Sequence, residues 1–139
     1  MKLHYLLLSI TLIGNTHQNK LQPDQADDYI ITPSGLKYKI LQKGSGVSAK
    51  EGSEVLICET TSYRNGTVLY SNENSTSPVK VLIGGHQATE GVDEGLRGMQ
   101  VGETRKLIAP SYLVKRKFYP PNVSPDSTLV IKIILHKIL

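Results

Sequence analysis

Hydrophobic and polar residues alternate along most of this chain, and the alternation predicts strands. In "GLKYKILQKGSG" (35–46), Leu36, Tyr38 and Ile40 share one face and Lys37 and Lys39 the other, a half-buried strand closed by Gly44 and Gly46. "EVLICETTSY" (54–63) places Val55, Ile57 and Glu59 on one face. The Asn65-Gly66 pair that follows is a strong hairpin signal, returning the chain through "TVLYS" (67–71). "VKVLI" (79–83) alternates again between the loops "NENSTSP" and "GGHQATEG". The final run, "STLVIKIILHKIL", sets Leu129, Ile131, Ile133 and Leu135 on one face. Its other face, with Val130, Lys132, Ile134 and His136, is also partly apolar, which predicts a central strand.

One stretch changes period. Val92, Leu96 and Met99 are spaced four and three apart, one apolar stripe over two turns, and predict a short helix over 92–99. Asp93 and Glu94 fall in its first turn, where the helix dipole favours acids. Gly98 and Gly102 bracket its end, and "GETRKLIAP" resumes a period of two. The sum is an α+β domain, a mainly antiparallel sheet with one short helix laid against it.

Composition narrows the function classes. The 139 residues suit one globular domain with a short appendage. A net charge of +4 is scattered among twelve acids, so no nucleic-acid partner is expected, and Lys115-Arg116-Lys117, the tightest basic run, reads as a solvated loop. The lone Cys58 reads as a small buried hydrophobe, and the four histidines show no ligand spacing, so neither metal nor cofactor is expected. "MKLHYLLLSITLIG" joins a basic start to an apolar run too short to span a bilayer, the pattern of a secretory signal. The chain therefore divides into a signal peptide (1–18), a polar linker (19–34) and a domain (35–139). The expected location is secreted, periplasmic or in the lumen of the secretory pathway, with no membrane span, and the domain is expected to be a monomer.

The order of these elements, with "EGVDEGLRGMQVGETRKLIAPSY" and "SPDSTLVIKIILHKI", resembles the FKBP-type peptidyl-prolyl isomerases over residues 35–139. The resemblance implies an antiparallel sheet of five or six strands wrapped around the short helix. Glycines there allow close helix–sheet approach and tight turns. It also implies proline-containing polypeptides as partners, weak affinity for macrolide ligands, and catalysed rotation about Xaa-Pro amides. That rotation has an uncatalysed barrier of ~18–20 kcal/mol. It needs no covalent step, only a dry aromatic-lined pocket and a few donors to the twisted carbonyl.

The same alignment nominates site residues and shows most of the pocket rewritten. The family's Trp at the helix start is Val92, and its Tyr before the hairpin is Glu59. "FDSS" becomes "LYSN", which puts Leu69 at the Phe position and Tyr70 at the Asp position, or Tyr70 and Ser71 there after a one-residue shift. The Phe after the loop proline is Val79, the backbone-binding Val-Ile pair is Ala88-Thr89, and the Tyr of "AYG" is Val114. The Phe of the last strand is Ile131, while Phe118 and Tyr119 lie in the loop flanking the pocket. At Val79, Val92 and Ile131 the alternative is a side chain that simply fills core. The replaced walls predict weak isomerase activity in the folding of exported proteins. The alternative is a non-catalytic peptide-binding or chaperone module.

Overall fold

The computed structural model describes residues 28–139, so the signal peptide and linker residues 19–27 lie outside the described residues. Nine strands and one α-helix follow in chain order. The strands are β1 (Ile30–Ile31), β2 (Lys37–Gln42), β3 (Ser45–Ser48), β4 (Glu54–Tyr63), β5 (Val68–Ser71), β6 (Val79–Leu82), β7 (Gln100–Val101), β8 (Thr104–Ala109) and β9 (Leu129–Ile138). The helix α1 (Glu90–Leu96) lies between β6 and β7, and a 3-10 turn covers Ser111–Leu113. The main sheet is antiparallel throughout, in the order β1-β2-β8-β9-β4-β5, with β6 also paired to β4, while β3 and β7 form a small two-stranded ribbon. No helix among the described residues is long and apolar enough to cross a membrane.

The predicted antiparallel sheet on one short helix is the observed architecture, and β1 adds a seventh strand to the sheet. β9 is central, as its two apolar faces predict, lying between β8 and β4. Leu129, Ile131, Ile133 and Leu135 are fully buried and meet Leu36, Leu96, Met99 and Leu107 in one core between sheet and helix. Two boundaries move. The tract read as linker ends in β1, because Ile30 and Ile31 pair with Tyr38 and Lys37. In β2 the alternation stops at Ile40, which is exposed where the register with β8 shifts.

The helix starts two residues before its predicted start and ends three before its predicted end. Gly98 has φ +82°, a left-handed conformation closed to most side chains, so the helix must stop before it, and Met99 reaches the core from the turn beyond. Gly95 has a different role. A Cβ there would sit 2.5 Å from Leu107 Cδ1 on β8, so only glycine lets helix and sheet approach this closely. That approach holds α1 against β8, and its first turn carries Val92 into the wall of a cavity.

Candidate functional site

A cavity of about 720 Å³ opens between β4, β6, the start of α1 and the loop 115–118. Its buried walls are aliphatic: Ile57 on β4, Val81 on β6 and Val92 in the first turn of α1. Val79, Glu59 and Tyr70 complete the sheet side, residues 86–89 form one rim, and Lys115 to Phe118 form the other. This volume lies in the range of small-molecule and peptide side-chain pockets.

Both rims are built by local hydrogen bonds. On one side Gly84 and His86 take left-handed conformations, with φ +84° and +55°. Asp93 Oδ1 accepts the Gly84 N–H at 2.8 Å, and Gln87 Oε1 accepts the Leu82 N–H at 2.9 Å, which folds the 84–89 loop back over β6. Thr89 then precedes the helix in an extended conformation, and its hydroxyl is buried without a hydrogen-bond partner. On the other side the Arg116 N–H donates to the Tyr119 hydroxyl at 3.2 Å, tightening the loop. The Tyr63 hydroxyl fastens that loop to the end of β4, donating to the Asn122 carbonyl at 2.8 Å and accepting the Ser124 N–H at 2.9 Å.

Glu59 is the acid of the cavity wall. Asn72 fixes its backbone from both sides: the Asn72 side-chain oxygen accepts the Glu59 N–H at 2.7 Å, and the Asn72 N–H donates to the Glu59 carbonyl at 3.1 Å. The loop carrying Asn72 is itself held by Glu73, which bonds Lys132 at 2.8 Å and the Thr60 hydroxyl. The Glu59 carboxylate is poorly satisfied, with only a long 3.5 Å contact from the Thr61 hydroxyl. Burial pushes its pKa up, and the Arg116 charge and the Thr61 hydroxyl offset this only in part.

That direction fixes a pH dependence. A carboxyl whose folded pKa is raised binds its proton more tightly in the folded state, so stability falls as pH rises from the unfolded value of about 4.3 through the folded one. Glu59→Gln is therefore expected to be near neutral in acid and stabilising at neutral pH. Denaturant midpoints of both proteins from pH 3 to 7 check this; a constant difference would place Glu59 in solvent.

Of the ten residues nominated from the sequence, the structure brings Glu59, Tyr70, Val79, Ala88, Thr89 and Val92 onto the cavity wall. The other four nominated residues do not line this cavity. Ile131 and Val114 are fully buried in the central core, Ile131 because it faces the helix from mid-β9 and Val114 because the 3-10 turn folds it inward. Leu69 packs against the core, since neighbouring strand residues face opposite ways and Tyr70 takes the cavity face. Tyr119 is committed to shaping its loop and does not line the cavity. The sequence reading left out Ile57, Val81, His86, Gln87 and Lys115 to Lys117. Ile57 and Val81 could have been found from the alternation, which puts Ile57 on the face of Glu59 and Val81 on that of Val79.

Six of the ten positions aligned with one family's pocket thus meet at one cavity, and direct comparison points to the same family. The family model for FKBP-type peptidyl-prolyl cis-trans isomerases matches residues 46–136. The chain belongs to the FKBP-type peptidyl-prolyl cis-trans isomerase family. It is 33% identical over 105 residues to an FK506-binding protein of Neisseria meningitidis serogroup B, covering 75% of this chain and 96% of that protein. It is 32% identical over 100 residues to FK506-binding protein 1 of Dictyostelium discoideum, covering 71% of this chain and 94% of that one. The fold is shared with FkpA from Escherichia coli, with a TM-score of 0.71 and 24% identity over 82% of this chain and 53% of that one. FKBP-type proteins bind proline-containing peptides. Among the described residues, Tyr70 and Phe118 are the aromatic rings that line the cavity, 47% and 88% exposed, and the buried wall is aliphatic.

Proposed function

We propose that this FKBP is a slow peptidyl-prolyl isomerase that assists the folding of exported polypeptides. The single observation that carries the reading is the cavity itself, open to solvent at a polar rim, with a buried aliphatic wall of Ile57, Val81 and Val92. An Xaa-Pro ring seated there leaves water, and an amide that has left water loses its resonance at lower cost. The buried, unpartnered Thr89 hydroxyl and the Tyr70 hydroxyl are the donors this wall offers to a twisting carbonyl. Aliphatic walls grip a prolyl ring less well than aromatic ones, which supports slow turnover and weak affinity for macrolides of the kind its relatives are named for. Faster cis–trans exchange of an Xaa-Pro peptide in the presence of catalytic amounts of protein tests the reading.

A second reading, a holder of proline-containing chains without turnover, is favoured by the aromatic rings at the mouth. It predicts binding with no change in exchange rate. Export is supported by the basic and apolar start of the chain, residues 1–18. The mature protein is expected to lack them. Mass measurement of the exported fraction checks this, and an intact Met1 there contradicts it.

A further inference from the structure

The basic run that reads as a solvated loop in the sequence has a definite place in the fold. Lys115, Arg116 and Lys117 are each exposed, and all three line one rim of the cavity, followed directly by the exposed Phe118 ring. None of the three closes an ion pair among the described residues. The carboxylate lining the cavity is Glu59, which lies deeper and half-buried, and it interacts with Arg116. Lys115 and Lys117 have no acid facing them on that wall. His86 stands on the opposite rim, and beyond it the shallow groove of Glu90, Asp93, Glu94 and Arg97 carries the opposite sign. The mouth is therefore polarised, basic on one side and acidic beyond the other.

We propose that Lys115, Arg116 and Lys117 select proline-containing segments that carry an acidic side chain beside the proline. The inference rests on the cavity being the proline site. A prolyl ring against Val92 and Val81 leaves its neighbours at the mouth, where the 115–117 side chains lie on one side. An acidic neighbour there meets the exposed charges of Lys115 and Lys117, with Arg116 shared with Glu59, and a basic neighbour meets repulsion. The Phe118 ring, otherwise unpacked, covers the apolar part of the same neighbour. The polarity of the mouth makes the selection positional: it acts at one flank of the proline and not at both.

The test uses fluorescent peptides with Leu-Pro at the centre and Glu, Lys or Ala placed at either flank, with binding read by anisotropy. At low salt, Glu is expected to bind about tenfold tighter than Lys at one flank, a ratio that falls to about twofold or less in 0.5 M NaCl. The triple variant Lys115→Gln, Arg116→Gln, Lys117→Gln is expected to lose the ratio while keeping its melting temperature. Glu59→Gln, which removes the opposing charge, is expected to increase it. Equal affinity for Glu and Lys at both flanks, a preference for Lys at both, or a ratio that survives in the triple variant overturns the proposal. Absence of binding by every peptide, Ala included, overturns the proline-site reading itself and the proposal with it.

Discussion

Arg105→Ala is expected to destabilise the fold by about 3–5 kcal/mol, the cost of leaving a buried charge without its partner. The Arg105 guanidinium is 5% exposed and sits on the core face of β8. Its Nε and Nη2 both reach Glu103 Oε1, at 2.7 and 2.6 Å, and Nη1 donates to the carbonyls of Gly95 and Arg97 at 3.1 Å. Those carbonyls belong to the C-terminal end of α1, which otherwise has no basic residue in its last turn. Glu103, 3% exposed, spends its other oxygen on the Gln100 N–H at 3.0 Å, and the Tyr38 ring stacks on the guanidinium 4.6 Å away. Glu103→Ala removes the counter-charge and is expected to cost a similar amount. Each single change should lower the melting temperature by roughly 12 °C or more, given about 4–8 °C per kcal/mol for a domain near 100 residues. The double change Glu103→Leu, Arg105→Met leaves no orphaned charge and should be less destabilising than either alanine variant. Thermal and denaturant melts of the four proteins check this; single changes costing under 1 kcal/mol would contradict it.

Val92→Trp is expected to raise kcat/KM for an Xaa-Pro peptide about tenfold, equivalent to about 1.36 kcal/mol of transition-state stabilisation. Val92 is 5% exposed in the first turn of α1, and its side chain packs against the core on one side and lines the cavity on the other. The cavity has room for an indole, whose flat face would replace the valine methyls as the surface under the prolyl ring. The corresponding change at Val114 is expected to fail. Val114 is enclosed by the central core, and a tyrosine there would overpack it. A rate for Val92→Trp equal to wild type, in a protein that melts normally, would show that the deep wall does not set the rate.

The framework of this fold was legible because its strands are amphipathic. The second run, 54–63, has the boundaries of β4, and the two apolar faces of the last run mark β9 as central. The helix ends were less legible, because the apolar stripe continues to Met99 while the chain has already turned at Gly98. The site was half legible. Residues on strands whose cavity face follows from alternation, Glu59 and Val79, fell into place with Thr89 and Val92. Ile131 did not, since alternation says that a side chain points inward but not whether it meets packed core or a cavity, and Val114 follows a 3-10 turn, where no period of two applies. The Glu103–Arg105 pair was written in the sequence and passed over. A period of two from Ala109 through Leu107 puts both charges on the core face, and two opposite charges facing a core two residues apart are expected to pair. The basic rim was illegible for another reason. Exposed loop residues carry no periodicity, and only the fold of 111–125 shows that the run borders a cavity.

Cis–trans exchange of a Leu-Pro peptide, followed by two-dimensional NMR exchange spectroscopy, tests the isomerase assignment most directly. Without catalyst the exchange takes tens of seconds or longer. The assignment predicts that wild-type protein at a small fraction of the peptide concentration speeds exchange in proportion to its amount, and that Val92→Trp speeds it further. Binding of the peptide with an exchange rate unchanged at every protein concentration would contradict it, and would make this FKBP a holder of proline-containing chains instead.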